Sequence, residues 1–182
     1  MTPLPFDSRW AFAALFALVA LERLAELVVA RRNLAWARAQ GGRLVGEPVV
    51  WPAMVTMHVL FLVVPPLEVA LLDRPFRPAV GLPALGVAAA AMAVRYWVIG
   101  TLGRRWSPRV VVLPGAPPVV TGPYRYLRHP NYLAVAAEIA ALPLVHGAWL
   151  SALLFSAANA AVLRARIRTE ERALAAAAEG RP

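Results

Sequence analysis

Long apolar runs, separated by short polar segments, dominate the chain. Three of these runs cover residues 10–30, 49–72 and 79–102. Each is long enough for a helix that crosses the hydrocarbon core of a bilayer, which takes about 20 predominantly apolar residues. These runs therefore predict three transmembrane helices in succession.

A fourth apolar stretch, residues 132–163, is too long for a single span. Pro143 and the His146-Gly147 pair lie near its middle, and residues of these types favour a turn. The stretch therefore predicts a tight helical hairpin with spans at about 130–146 and 148–163. Taken as a whole, the pattern predicts an all-α integral membrane protein with about five transmembrane helices, forming a single domain over residues 1–182.

Two polar segments flank this hairpin. Residues 103–129 contain prolines and glycines that prevent a continuous helix, and short valine runs that provide small apolar walls for a flat aromatic ligand. Residues 164–178 are rich in alanine, leucine, arginine and glutamate, which are strong helix formers. We therefore expect a ligand-binding loop before the hairpin and a C-terminal helix that continues the last span.

The placement of arginine predicts how the chain is oriented, because basic residues accumulate on the cytoplasmic side of a membrane. With the N-terminus outside, fourteen of the 19 arginines fall in predicted cytoplasmic segments and three in outer segments. The fourteen are Arg31, Arg32, Arg38, Arg43, Arg104, Arg105, Arg109, Arg125, Arg128, Arg164, Arg166, Arg168, Arg172 and Arg181. We therefore expect the loop and the C-terminal helix on the cytoplasmic face of the membrane.

Composition narrows the classes of function. Hydrophobic residues make up 60% of the chain and charged residues 16%, whereas soluble domains contain about 25% charged residues. The net charge of +9 comes from arginines that are not gathered on one soluble face, so no nucleic-acid partner is expected. The absence of cysteine excludes disulfides and thiolate chemistry. The composition therefore predicts membrane lipids as partners, and the oligomeric state stays open.

Charged residues interrupt the first span at Glu22, Arg23 and Glu26. A charge at the centre of a membrane helix costs about 2.5–3.5 kcal/mol on insertion scales, so such residues are candidates for a function. Arg23 can pair with Glu26, which lies three residues later on the same helical face. A self-neutralised cluster at the cytoplasmic end of the helix is one interpretation, and a functional role is the other.

The second span contains two further polar residues, His58 and Glu68. Glu68 follows Pro65 and Pro66, which we expect to break the helix. We therefore interpret Glu68 as a structural or interfacial residue. His58 has no evident partner in the sequence, and it is either a hydrogen-bonding group between helices or a general base.

The three histidines do not predict a metal site. His58, His129 and His146 lie on separate predicted elements, without the short ligand spacings of zinc sites. The chain also lacks the G-x-S-x-G elbow of serine hydrolases and the glycine-rich nucleotide-binding motifs. Metal-dependent and serine-nucleophile chemistry are therefore not predicted.

The densest polar chemistry lies in GPYRYLRHPNY, residues 122–132, where the loop meets the fourth span. In the C-terminal helix, Arg166 and Glu170 are four residues apart and share a face. A carboxylate there can bind ribose hydroxyls, and a guanidinium can bind an anionic oxygen. Taken alone, however, the pair is more typical of a solvated ion pair worth a few tenths of a kcal/mol.

Considered together, TGPYRYLRHPNY, the predicted hairpin and RIRTEE resemble the isoprenylcysteine carboxyl methyltransferase family. The resemblance is firmest over residues 121–174. It implies an integral membrane enzyme that binds S-adenosylmethionine on the cytoplasmic side and methylates a lipid-like acceptor.

The resemblance also implies roles for individual residues. It implies a pocket in which Glu170 holds the cofactor and Arg166 faces the acceptor. The other pocket residues that it implies are Pro118, Val119, Tyr124, His129, Pro130, Asn131 and Tyr132. The family often has a histidine where this chain reads Ala116-Pro117, which leaves one cofactor contact open.

The N-terminal half suggests a branch of the family. RLAELVVARRN, Glu47, Met57-His58 and Glu68 resemble small bacterial members that are associated with type III polyketide synthases. These are similar to O-methyltransferases of alkylpyrones or long-chain phenolic lipids. The implied reaction is an in-line displacement in which His58 is a candidate base and Arg166 stabilises the developing oxyanion. Carboxyl methylation of a prenylcysteine-like substrate and phospholipid N-methylation stay open, as does a non-enzymatic membrane scaffold.

Overall fold

Five α-helices account for most of the computed structural model, which describes residues 7–178. The helices are α1 (Ser8–Ala39), α2 (Val50–Leu71), α3 (Pro78–Leu102), α4 (Pro130–Leu144) and α5 (Trp149–Ala178). Helix α1 packs on α2, α3 packs along α4, and both α2 and α4 pack on α5. Residues 1–6 and 179–182 lie outside the described part, and with them Arg181 of the arginine set.

Three helical segments are long and apolar enough to cross a membrane: Val50–Leu71, Pro78–Arg105 and Trp149–Ala176. They support an all-α integral membrane protein. The 15 residues of α4 extend only about 22 Å, less than the roughly 30 Å of a bilayer core. Helix α1 carries Glu22, Arg23 and Glu26 near its middle. The count of five spans and the transmembrane hairpin therefore stay predictions.

The connection between α4 and α5 is a turn of residues 145–148, in which Gly147 has a positive φ of 72°. Only glycine adopts this backbone region without a steric cost. The predicted C-terminal helix continues the last apolar helix, because α5 is uninterrupted from Trp149 to Ala178. Arg166 and Glu170 therefore lie on the same continuous helix as the apolar part of α5.

The expectation that two prolines break the second span is wrong. Helix α2 continues through Pro65 and Pro66 and ends at Leu71. Proline has a φ close to the helical value, so its cost is a lost hydrogen bond and a local clash rather than an incompatible backbone. Pro65 is fully buried, and its packing in the core offsets part of this cost.

Glu68 holds the beginning of α5. Its Oε2 accepts hydrogen bonds from the amide and the hydroxyl of Ser151, both at 2.7 Å, and its Oε1 accepts one from the amide of Leu150 at 3.3 Å. Arg74 neutralises the carboxylate at 3.0 Å. Because the first amides of a helix have no partner within it, this buried carboxylate is a cap supplied by another helix. The contacts agree with the structural interpretation of Glu68.

Replacing Glu68 with alanine is expected to lower the free energy of unfolding by about 3 kcal/mol, because it leaves buried donors of Ser151 without an acceptor. Glu68→Gln keeps one acceptor oxygen and should lose less. Thermal unfolding in detergent measures both changes, with the exposed Glu171→Ala as the control. Equal unfolding midpoints for the Glu68→Ala variant and the unmodified protein would contradict this role.

The charged cluster of α1 joins three helices. Arg23 donates to Glu26 at 2.8 Å and to Glu138 of α4 at 2.6 Å. Arg95 of α3 binds the same Glu26 through two nitrogens, at 2.6 and 2.5 Å. The cluster lies near the middle of α1, because this helix extends to Ala39 rather than ending near residue 30. It is therefore a network between helices and not a local cluster at a helix end.

The loop between α3 and α4 is anchored to the rest of the chain at several points. A two-residue antiparallel pair joins β1 (Arg43–Leu44) to β2 (Val111–Val112). Asn33 of α1 donates to the backbone oxygen of Trp106 at 2.8 Å. At Gly122 the backbone approaches Thr101 of α3 so closely that a Cβ atom would overlap the threonine side chain. These contacts fix the loop beside the start of α4.

Candidate active site

Arg166 of α5 lies at the centre of a polar cluster to which four segments contribute. Its Nη1 binds both carboxylate oxygens of Glu47 at 3.3 Å, and its Nε donates to the hydroxyl of Tyr132 at 3.2 Å. Its Nη2 donates to the backbone oxygen of Pro108. Arg166 is 4% exposed and Glu47 is 5% exposed. The guanidinium therefore links the α1–α2 connection, the long loop, α4 and α5 from within the protein.

The hydroxyl of Tyr132 connects Arg166 to Glu170. It accepts the hydrogen bond from Arg166 and donates a short one to Oε2 of Glu170. Hydrogen bonds to ionised groups are stronger than those between neutral groups, so this bridge aligns all three side chains. The other oxygen of Glu170 is not engaged by Tyr132.

A solvated ion pair between Arg166 and Glu170, as the four-residue spacing alone suggested, does not form. Arg166 is buried and pairs with Glu47. Glu170 is reached through the tyrosine hydroxyl instead. The two residues share a helical face, as predicted, but they belong to a network between elements and not to a surface pair.

The first turn of α4 presents the predicted pocket residues of the RHPNY segment. Pro130 occupies the start of the helix, where its missing amide costs nothing. The ring of His129 stacks on Tyr132 with the centroids 5.4 Å apart, and its Nε2 is 3.3 Å from Glu171. The Oδ1 atom of Asn131 is buried and has no hydrogen-bond partner among the described residues. A buried acceptor of this kind is suited to a ligand that brings a donor.

The loop contributes Pro118, Val119 and Tyr124. Pro118 is exposed and Val119 is half-buried, so both side chains are accessible to a ligand. Tyr124 packs against a buried cluster of Ala30, Val98 and Trp106. Burial, together with the negative charge of Glu170, raises the pKa of Tyr124 to about 12. Its hydroxyl therefore stays protonated, and able to donate, at physiological pH.

The three histidines lie at different places in the fold. His58 makes a hydrogen bond through Nδ1 with the backbone oxygen of Met54, at 2.8 Å. The sulfur of Met54 is 3.8 Å from Nη1 of Arg166, so His58 lies one helical turn from a residue of the cluster. His146 is buried in the α4–α5 turn and bonds to Ser8 at 3.0 Å. Among residues 7–178, no three potential ligands are close enough to hold a metal ion.

Several members of the cluster were not predicted as site residues. The sequence marks Glu47 only as part of the N-terminal pattern, although it is the one acidic residue between Glu26 and Glu68. A single carboxylate in a connection that is rich in arginine could have indicated that Glu47 pairs with a basic residue. Glu171, which contacts His129, and the backbone oxygen of Pro108 gave no sequence signal, because their roles depend on the tertiary arrangement.

An apolar groove of about 540 Å³ lies between α2 and α5, at the opposite end of α5 from the cluster. Its lining includes Leu67, Leu71 and Leu154 beside Ser151. Ser151 is 15 residues from Arg166 on α5, which corresponds to about 22 Å. A second apolar groove lies between α1 and α2. Neither groove contains Arg166 or Glu170.

Comparison with protein families gives a match to the model of the isoprenylcysteine carboxyl methyltransferase (ICMT) family over residues 84–176. This range is slightly more than half of the chain. It includes α4, the loop before it and the whole part of α5 that carries Arg166 and Glu170. It excludes Glu47 and His58.

An uncharacterized protein of Bacillus subtilis (strain 168), YpbQ, is similar to this chain over almost its entire length. The two are 39% identical over 166 residues, which is 90% of this chain and 96% of the relative. No solved structure matches this chain.

Proposed function

Because the chain belongs to the ICMT family, whose members are methyltransferases, we propose that it transfers the methyl group of S-adenosylmethionine to an oxygen of a lipophilic acceptor. The proposed site is the cluster around Arg166, Tyr132 and Glu170. The proposed location is the cytoplasmic membrane of a bacterium, with the N-terminus outside and this site on the cytoplasmic side.

The observation that supports this proposal most strongly is the hydrogen-bonded chain from Arg166 through Tyr132 to Glu170. It joins the RHPNY segment to the RIRTEE segment. The two residues in contact, Tyr132 and Glu170, are 38 positions apart in the sequence. Both segments lie inside the range that matches the family. A scaffold protein has no need for such a half-buried, oriented carboxylate next to an accessible loop.

The residues present fit S-adenosylmethionine. Glu170 would bind the ribose hydroxyls through the oxygen that Tyr132 does not engage, and Asn131 would accept a hydrogen bond from an amino group. Tyr124, Pro118 and Val119 would enclose the flat adenine. When bound, the cofactor supplies a methyl group on a positively charged sulfur. The role of the protein is to orient the acceptor oxygen toward that methyl group and to exclude water.

Arg166 holds this arrangement together in the proposed mechanism. By donating to Tyr132, it orients the hydroxyl that in turn fixes Glu170. By pairing with Glu47, it keeps its own charge neutralised inside the protein. A misplacement of about 1 Å at such a site is enough to lower a rate about 100-fold, so this positioning is part of catalysis.

For the acceptor, we propose an alkylpyrone or a long-chain phenolic lipid made by a type III polyketide synthase. The similarity of the N-terminal half to small bacterial enzymes supports it. The description of the family favours a prenylcysteine-like carboxylate equally. The purified protein should therefore be assayed with labelled cofactor against a hydroxypyrone, an alkylphenol, a prenylcysteine and phosphatidylethanolamine. Transfer to phosphatidylethanolamine alone would contradict an oxygen acceptor.

Replacing His58 with alanine tests whether it is a base. A phenol must lose a proton before it accepts a methyl group, whereas a hydroxypyrone is acidic enough to arrive ionised. We expect the rate with an alkylphenol to fall by about 100-fold, the lower range for general-base catalysis, and the rate with a hydroxypyrone to change little. Steady-state rates at one pH measure the difference. Equal losses with both acceptors would indicate that His58 only packs.

A further inference from the structure

Arg109 is a cation at the edge of the site for which the proposed mechanism has no use. Its guanidinium carbon lies 4.5 Å above the centre of the Trp51 ring. Its Nε is buried and has no hydrogen-bond partner among the described residues. A buried N–H without an acceptor is costly, and a ligand that supplies one removes this cost.

The position of Arg109 is fixed by hydrogen bonds to the backbone oxygens of both of its neighbours in the chain. The preceding residue, Pro108, accepts a hydrogen bond from Arg166. The following residue, Val110, accepts one from the amide of Val45 at 2.9 Å. The aromatic partner is fixed in the same way, because the amide of Trp51 donates to the backbone oxygen of Glu47 one turn earlier. Arg109 and Trp51 are therefore a preorganised pair directly beside the site.

Arg166 itself is poorly suited to bind an acceptor. Each of its three nitrogens already has a partner in the protein. Its charge is neutralised by Glu47, whose side chain is completely buried. Turning toward a substrate would leave that carboxylate buried and unpaired, which is strongly unfavourable. The positive charge available to an acceptor is that of Arg109.

We propose that Arg109 binds the ionised oxygen of the methyl acceptor, with Trp51 holding the guanidinium plane in place. This inference rests on the proposed function and specifies the substrate class: a lipophilic acid, such as an enolate, a phenolate or a carboxylate, and not an amine. A carboxylic acid or a hydroxypyrone reaches the site after losing its proton to water, whereas a phenol loses its proton to His58. The acceptor oxygen forms the bond to the methyl carbon as the bond between that carbon and sulfur breaks. The products are a neutral methyl ether or ester and S-adenosylhomocysteine.

The loss of charge on the acceptor favours its release. An anion binds Arg109 through a charge-assisted hydrogen bond, which is roughly twice as strong as a neutral one. After methylation the same oxygen has no charge, so the strong contact is lost once the reaction is complete. Arg109 therefore distinguishes the substrate from its own product.

The test is a calorimetric titration of two lipophilic acids into full-length protein in detergent, saturated with S-adenosylhomocysteine. One acid is a 4-hydroxy-6-alkyl-2-pyrone and the other is N-acetyl-S-farnesylcysteine, so that the two arms distinguish an enolate from a carboxylate. Phosphatidylethanolamine is the amine comparison. The variants are Arg109→Gln and Arg109→Lys, and the matched control is Arg104→Gln, which changes an exposed arginine at the start of the same loop.

We expect Arg109→Gln to bind the preferred acid at least tenfold more weakly, with unchanged affinity for S-adenosylhomocysteine. Arg109→Lys should restore part of the loss, because it keeps the charge but not the planar stacking on Trp51. Three results would overturn the inference: equal acid affinity in Arg109→Gln, an equal loss in Arg104→Gln, or preferred binding of the amine lipid. If neither acid binds the unmodified protein while S-adenosylhomocysteine does, the inference fails and the methyltransferase proposal stands.

Discussion

Replacing Glu170 with alanine is expected to weaken the binding of S-adenosylmethionine by roughly 100-fold or more. A carboxylate that accepts two ribose hydroxyls makes two hydrogen bonds to a charged group, each worth about 1.5–3 kcal/mol. Their loss removes about 3 kcal/mol or more of binding free energy. Isothermal titration calorimetry of the detergent-solubilised protein measures the effect directly.

The neighbouring Glu171 provides the matched control for this change. Glu171 is exposed, carries the same charge and contacts His129 rather than Tyr132. Glu171→Ala should reduce the cofactor affinity by only a few-fold. Unchanged affinity in Glu170→Ala, or equal losses in the two variants, would rule out a specific role of Glu170. The unfolding midpoint of both variants should stay close to that of the unmodified protein.

Replacing Arg166 with methionine is expected to destabilise the protein by about 3–5 kcal/mol, because it leaves the carboxylate of Glu47 buried without a partner. The double variant Arg166→Met/Glu47→Gln should recover most of this stability, since no unpaired charge is then left. Methyl transfer should nevertheless stay abolished in the double variant, because Tyr132 and Glu170 have lost the donor that orients them. Thermal unfolding and cofactor turnover measure the two properties separately.

This pair of variants separates a catalytic arrangement from a purely structural one. If the double variant regains both stability and methyl transfer, Arg166 acts only by neutralising Glu47. If Arg166→Met alone leaves the unfolding midpoint unchanged, the buried ion pair is not a significant interaction. The single variant Glu47→Gln should retain partial activity, since Arg166 keeps its bonds to Tyr132 and Pro108.

Helices of strong apolar character could be placed from the sequence to within a few residues. The spans predicted at 49–72 and 79–102 correspond to α2 and α3. An uninterrupted apolar run in a bilayer forms a helix, because only a helix satisfies its backbone hydrogen bonds within the segment. The end of α1 was missed by nine residues, since good helix formers continue past Ala30 after the apolar run ends. The prolines of α2 misled the prediction because packing of Pro65 is a tertiary effect.

Pairs of charges on elements that are distant in the sequence could not be predicted. Arg23 pairs with Glu26 on its own helix, as the spacing predicts. Its second partner, Glu138, lies 115 residues away along the chain and was not predicted. The pairing of Glu47 with Arg166 spans 119 residues. A single sequence contains no signal for such distances, because only the packing of the helices brings these residues together. The same holds for the short pairing between β1 and β2.

The candidate site was also predicted only in part. The sequence motifs RHPNY and RIRTEE identified the two segments that form the site, and the structure brings Tyr132 of the first into contact with Glu170 of the second. The sequence could not show that Tyr132 is the bridge, or that Arg166 is turned inward to Glu47 and not outward to a ligand. It also could not single out Arg109 from the other arginines of the loop. Its distinguishing feature, a buried Nε over Trp51, exists only in the folded protein.

The most direct test of the central claim is methyl transfer by the purified protein itself. The protein, reconstituted in vesicles that contain a lipid extract from cells lacking the gene, would be incubated with S-adenosylmethionine that carries an isotopically labelled methyl group. We expect a labelled, lipid-soluble product that is absent with Glu170→Ala. A saturable cofactor-binding isotherm should accompany it. No labelled lipid and no saturable binding, in protein that is folded and monodisperse, would contradict the account.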